Sequence, residues 1–193
     1  MKLKEKIEVI LTEAIREVLT TLVSLTPEIR RKSGTPRRDS EKRVVVSMGL
    51  AGPLSASLAL VWTNRSACTL VSKMLGSKMT DVNQDVVDGL GEFANIMAGR
   101  IKYRFQELSY PLALSLPGVI LGLNSGFVAK MRASESISLI VNAEELNFET
   151  MFLYAPPDAE LQENWEAGEG VPQSLEQEAS EALQRLLSQK KKK

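Results

Sequence analysis

The sequence contains no histidine and a single cysteine, Cys68. Without histidine, the commonest general base and the commonest metal ligand are gone. That excludes Ser–His–Asp and Cys–His catalysis and most zinc sites. One cysteine allows neither an intrachain disulfide nor a redox pair, and it suits a reducing cytoplasm. Net charge is missing as well: 24 basic side chains balance 24 acidic ones, so no global field favours nucleic acid or an anionic membrane. No apolar run is long enough to span a bilayer. Residues 1–23, MKLKEKIEVILTEAIREVLTTLV, break their apolar positions with charges, unlike a signal peptide. The expectation is a cytoplasmic protein with no metal of its own, no membrane insertion and no nucleic-acid partner. With 193 residues, 44% of them hydrophobic, the chain can build one domain with a real core.

Lys2 to Leu25 carries the clearest helical pattern, with Ile7, Ile10, Leu11, Ala14, Ile15, Val18, Leu19, Leu22 and Val23 at helical spacing before Pro27. The basic run Arg30, Arg31, Lys32, Arg37 and Arg38 reads as a solvated loop, or more sharply as a contact for an acidic partner. The period then changes. RVVVSMGLAG and LSASLALVW, joined at Ala51-Gly52-Pro53, make a β-hairpin signal. Gly49 and Gly52 lack the spacing and the following Lys-Ser/Thr of a phosphate loop. Asn64 is positioned to cap a short helix that stops at Gly76, with Cys68 packed inside it.

Thr80 to Asn83 offers caps for a longer helix, Asp85 to Phe105, DVVDGLGEFANIMAGRIKYRF. Beyond it, YPLALSLPGVILG carries two prolines and predicts an edge strand or an extended crossing segment rather than a central strand. Gly122 to Gly126 is a turn, and FVAKMRA with SISLIVN, divided at Ser134-Glu135, predicts a second hairpin. Phe148 to Tyr154 adds a short strand. Residues 1–155 thus form one α/β (α+β) domain, an antiparallel-rich sheet packed by long helices. Residues 156–193 form an acidic linker, a short amphipathic helix with Leu175, Ala179, Ala182, Leu183 and Leu186 at helical spacing, and a lysine tail.

In the longer helix, at roughly 100° per residue, Val87, Leu90, Ala94, Met97, Ala98, Ile101 and Phe105 share one apolar face fit for a core. Asp88, Glu92, Asn95 and Gly99 share another, roughly 140° away. The alternative is an ordinary wet face, although such a face more often collects Lys–Glu pairs, Gln and Ala.

Asp88-x-x-x-Glu92-x-x-Asn95, continued as Ile96-Met97-Ala98-Gly99, resembles the signature of the CheC/CheX chemotaxis phosphatases: Asp or Ser, three residues, Glu, two residues, Asn. By element order the likeness covers roughly the first four-fifths of the chain. It implies a CheC/CheX-like fold and hydrolysis of the phospho-aspartate of a CheY-like receiver domain. It further implies that Asn95 orients the attacking water and that Glu92 pairs with a receiver lysine. Asp88, as a capping or positioning residue, and Gly99, open to a close backbone approach, complete the partner-facing stripe. Magnesium is expected on the receiver, with no cofactor on this chain. Glu144 and Asn147 repeat the spacing without a helical frame. One motif copy resembles the CheX layout and implies a homodimer with two sites. The alternative is a non-catalytic receiver-binding or motor-switch-like module of the same fold.

Overall fold

The computed structural model describes residues 2–32, 42–123 and 135–155, together with Glu163 and Ala167. Its elements run α1 (Leu3–Val23), β1 (Glu28–Arg31), β2 (Arg43–Ala51), β3 (Ala56–Thr63), α2 (Asn64–Leu75), α3 (Gln84–Glu107), β4 (Ala113–Leu114), β5 (Gly118–Leu123), β6 (Glu135–Ala143) and β7 (Leu146–Tyr154). Among the described residues the seven strands form one antiparallel sheet in the order β1-β6-β7-β3-β2-β4, with β5 also paired to β2. The expected α+β class holds. The predicted C-terminal linker, helix and lysine tail, 156–193, lie outside the described residues apart from Glu163 and Ala167.

Alternation along the strands sends one set of side chains to the helices. Val44, Val46, Met48 and Leu50 of β2, Leu58, Leu60 and Trp62 of β3, and Phe148, Phe152 and Tyr154 of β7 are buried with the apolar stripes of all three helices. The anticipated β2–β3 hairpin forms, with Val45 opposite Val61 and Leu50 opposite Ala56. β5, with its prolines upstream, flanks β2 as an edge strand.

Three local readings change. A hairpin joins β6 to β7, Asn142 opposite Asn147 and Ala143 opposite Leu146; the anticipated pairing of β6 with residues 127–133 falls outside the described residues. Its turn contains no glycine; Glu144 itself takes the left-handed φ of 53°. Without a glycine or asparagine at that position the turn carried no sequence signature. β7 accordingly is a nine-residue inner strand between β3 and β6, not a short addition. Arg30, Arg31 and Lys32 do not sit in a loop. Arg30 and Arg31 belong to β1, which pairs with β6. Arg31 bonds to Glu8 of α1, and Lys32 reaches Glu149 at 2.7 Å. The acids that answer this basic run are therefore in the chain itself; Arg37 and Arg38 lie outside the described residues. At α2 the cap is Thr63, whose hydroxyl accepts from the Ser66 amide at 3.2 Å; Asn64 begins the helix. Gly76 terminates it with φ 66° as anticipated.

α3 is set against this scaffold from three sides. Asn83 caps it, its side chain accepting from the Val86 amide at 3.0 Å. Beneath it, the Phe93 ring stands edge-on to both Trp62 and Phe148, with centroids 6.0 Å away in each case. Phe105 stacks on Phe152 one layer further along. From α1, Glu17 bonds both Arg100 and Arg104, and Glu13 bonds Arg104. From α2, Val71 presses on Gly89, where a built Cβ would lie 2.9 Å from both methyl carbons. Valine methyls on a packed helix have little room to retreat. Gly89→Ala is therefore expected to lower stability by about 1–3 kcal/mol, the range for overpacking, as a reduced urea midpoint. A midpoint equal to or above the parent's would show that the two helices do not meet this tightly.

Candidate functional site

The anchoring of Phe93 fixes the roll of α3 and with it everything one residue to either side. Glu92 precedes Phe93 and Asn95 follows two later; both are exposed, while Phe93, Ala94 and Met97 are buried. Asp88, one turn before Glu92, is exposed too, and Gly99, one turn beyond Asn95, is partly so. The structure thus brings all four predicted site residues onto one open stripe of a single helix. Side chains three and four apart on a helix stand about 5–6 Å from one another at Cβ, so Glu92 and Asn95 point outward side by side.

Their hydrogen bonding differs in a telling way. Asp88 accepts from the Gln84 side-chain amide at 2.8 Å and is tied to the preceding turn. Glu92 and Asn95 have no hydrogen-bond or ion-pair partner among the described residues. A carboxylate and an amide held on a packed helix yet left without protein partners keep their full hydrogen-bonding capacity for an external group. Gly99 has nothing within 4 Å of a built Cβ. No neighbour among the described residues requires glycine there, and the helix beside Asn95 presents bare backbone.

A cleft of about 460 Å³ lies between α2 and the segment leading into α3, lined by Arg65, Cys68, Ser72, Lys78, Met79 and Asp81 among others, and none of the four stripe residues lines it. Burial, and secondarily Asp81, pushes the Cys68 thiol above its usual range, so this cysteine is a packing residue and not a thiolate nucleophile. Among the described residues no group of three or more acidic or cysteine side chains is arranged to hold a metal ion, and no helix is long and apolar enough to cross a membrane. What α3 offers is a stripe of polar side chains open to solvent.

The family model described as chemotaxis phosphatase CheX matches residues 44–141, from the first long strand through the motif helix to the penultimate strand. This chain belongs to the CheX family. A curated relative, the CheY-P phosphatase CheX of Thermotoga maritima, is 23% identical over 111 residues, covering 57% of this chain and 69% of the relative. Among solved structures, a CheC-like superfamily protein from Shewanella is similar with a TM-score of 0.67 at 20% identity, covering 81% of this chain and 100% of that one. The CheX of Borrelia burgdorferi, solved as a CheX–CheY–BeF3–Mg2+ complex, is similar with a TM-score of 0.64 at 20% identity, covering 77% and 97%.

Sequence reasoning found the stripe but not what steadies it. Phe93 falls outside the apolar face first drawn from helical spacing, and Gly89 was silent until α2 was packed against it. The open space over Gly99 has a consequence that separates stability from function within this CheX-family fold. Gly99→Ala is expected to stabilise the protein by about 0.5–1 kcal/mol through helix propensity, seen as a higher melting temperature. A loss of stability would mean that something in the chain does crowd this position.

Proposed function

We propose that this protein hydrolyses the phospho-aspartate of a CheY-like response-regulator receiver, with Asn95 orienting the attacking water and Glu92 pairing with a lysine beside the receiver's phosphoryl group. The observation that carries this reading is the pair itself. Within a chemotaxis-phosphatase family member, Glu92 and Asn95 are exposed, adjacent and without a partner among the described residues. A solved relative supports the choice of partner, since that CheX was captured with CheY, beryllofluoride and Mg2+.

The chemistry suits what the chain has. Phosphoryl transfer depends on in-line placement and charge neutralisation more than on covalent catalysis. Water oxygen bonds to phosphorus as the bond from phosphorus to the aspartyl oxygen breaks. Inorganic phosphate and a free carboxylate result, and the water's proton leaves with them. An amide accepts a hydrogen bond from the water and donates one to a phosphoryl oxygen. It need not act as a base, so a chain without histidine can do this work. The receiver brings its own magnesium; nothing in the proposed role of Glu92 or Asn95 requires them to ligate it. Asp88 and Gly99 complete the partner-facing stripe, Asp88 by steadying the first turn and Gly99 by admitting a close backbone.

The protein works, on this reading, as a cytoplasmic homodimer with two outward-facing sites, formed by one domain over residues 1–155. The strand β5 supports self-association: among the described residues it pairs with β2 alone, Ile120 and Leu121 are 38% and 52% exposed on it, and an apolar strand edge favours pairing with another chain.

Three expectations test these statements. Asn95→Ala should lower kcat for decay of the phosphorylated receiver by about 100-fold, the usual effect of removing one positioned donor, while binding persists. Glu92→Ala should weaken productive binding by about tenfold, an ordinary cost for one charged pair at an interface. Receivers encoded in the same genome, radiolabelled at the aspartate, provide the assay, and unaltered decay in Asn95→Ala would overturn the assignment. For assembly, sedimentation equilibrium should report a dimer; a monomer at every concentration up to about 100 times the working one would contradict it.

A further inference from the structure

Leu116 is 88% exposed, more than any other large apolar side chain among the described residues. It is not on a loose tip. The neighbouring Ser115 amide donates to the Gly49 carbonyl at 2.9 Å, the Gly49 amide donates to the Ser115 hydroxyl at 2.8 Å, and that hydroxyl donates to the Leu116 carbonyl at 2.9 Å. Pro117 follows, and Gly118 already pairs with Ser47 in the sheet. The backbone on both sides of Leu116 is thus pinned, and its side chain is presented to water by an ordered connection.

That connection abuts the motif helix. The Cγ of Pro117 lies 3.8 Å from a Cβ built on Gly91, the residue before Glu92. Gly91 and Asn95 lie about 40° apart around α3, so the β4–β5 connection borders the flank on which Asn95 stands. A second exposed apolar group continues the stripe along the helix. Tyr103 is 53% exposed, and it lies three turns beyond Glu92 at nearly the same azimuth, about 12 Å from Asn95 along the axis. Its ring is steadied by the Arg100 guanidinium, 5.9 Å from the centroid, and Arg100 is itself held by Glu17 at 3.1 Å. Gly99, with open space above it, separates the polar pair from this ring.

We propose that Leu116 and Tyr103 are the apolar anchors of the receiver-docking surface, placed on either side of the Glu92–Asn95 pair. This rests on the phosphatase reading, because the receiver is the occupant that must cover that pair. A typical interface takes about 800 Å² from each partner, a disc of roughly 16 Å radius. Centred on Asn95, such a footprint takes in Tyr103 and the adjoining β4–β5 connection. An acid, an amide and a glycine give such a footprint specificity but little apolar area. Interfaces draw most of their affinity from a few desolvated side chains, with tyrosine prominent among them. Leu116 and Tyr103 supply affinity and leave the chemistry to Asn95.

The experiment uses the full-length protein and a CheY-like receiver from the same genome, phosphorylated for turnover and held with beryllofluoride and Mg2+ for binding. Leu116→Asp and Tyr103→Ser should each raise KM and Kd about tenfold, with kcat at saturating receiver within about twofold of the parent. Leu116→Met and Tyr103→Phe should restore the parent KM, and the oligomeric state should not change. An unchanged KM in an active enzyme would overturn the anchor assignment while leaving the phosphatase reading in place. Dissociation of the dimer by Leu116→Asp, with activity lost in proportion, would also overturn it by making a second copy of the chain the occupant of that surface. If the parent protein neither binds nor dephosphorylates any receiver, the phosphatase reading falls and the anchors fall with it.

Discussion

The fold depends most on the seating of Phe93 between Trp62 and Phe148. All three rings are buried, and together they join α3 to the two central strands β3 and β7. Burying one such side chain is worth about 1.5–3 kcal/mol in area alone, and deleting a core phenylalanine typically costs about 3–5 kcal/mol. That energy also sets an angle. Glu92 is about 100° from Phe93 around the helix, so a roll large enough to expose Phe93 would carry a carboxylate toward the core at a cost of several kcal/mol. The interaction that holds α3 to the sheet is therefore the same one that keeps Glu92 and Asn95 in water. The ion pairs from α1 and the close contact at Gly89 act on the same helix. The surface pairs contribute at most about 1 kcal/mol each, so they trim its position rather than determine it.

On the proposed reading, a rigid element carrying polar groups with no partner among the described residues supplies half an active site. Preorganisation costs the protein little here, because the helix is required for the core in any case. The other half, phosphoryl group, metal and lysine, need not be reproduced by an enzyme whose substrate is itself a folded domain. The cleft beside α2, with its mixed charges and its buried Cys68, is separate from this stripe, and the proposed chemistry makes no use of it. Docking, not enclosure, then has to exclude water from the reacting atoms, so the neighbours of the stripe matter as much as the stripe.

Much of this was legible beforehand. The long amphipathic helices, the β2–β3 hairpin and the proline-marked edge strand all have strong local signatures, and local signatures survive packing. The motif stripe was legible because a carboxylate, an amide and a glycine in helical register have no packing explanation. The β6–β7 turn was not, because Glu144 adopts a left-handed conformation that its type rarely takes. β1 was read as a loop because its basic residues answer Glu8 and Glu149, acids far away in sequence. Leu116 looked like one more apolar residue in a strand, since exposure is a property of the fold and not of the residue. Tyr103 was hidden for the same reason, lying on a helix whose apolar face had already been assigned elsewhere.

The most direct test of the central claim, that the Glu92–Asn95 face of α3 completes a receiver's active site, is a crystal structure of this protein with its receiver held by beryllofluoride and Mg2+. The account predicts the Asn95 amide within about 3 Å of the in-line water position, ordinary hydrogen-bond reach, and Glu92 against a receiver lysine. A complex in which that face of α3 stays open to solvent, with the receiver seated elsewhere, would contradict it.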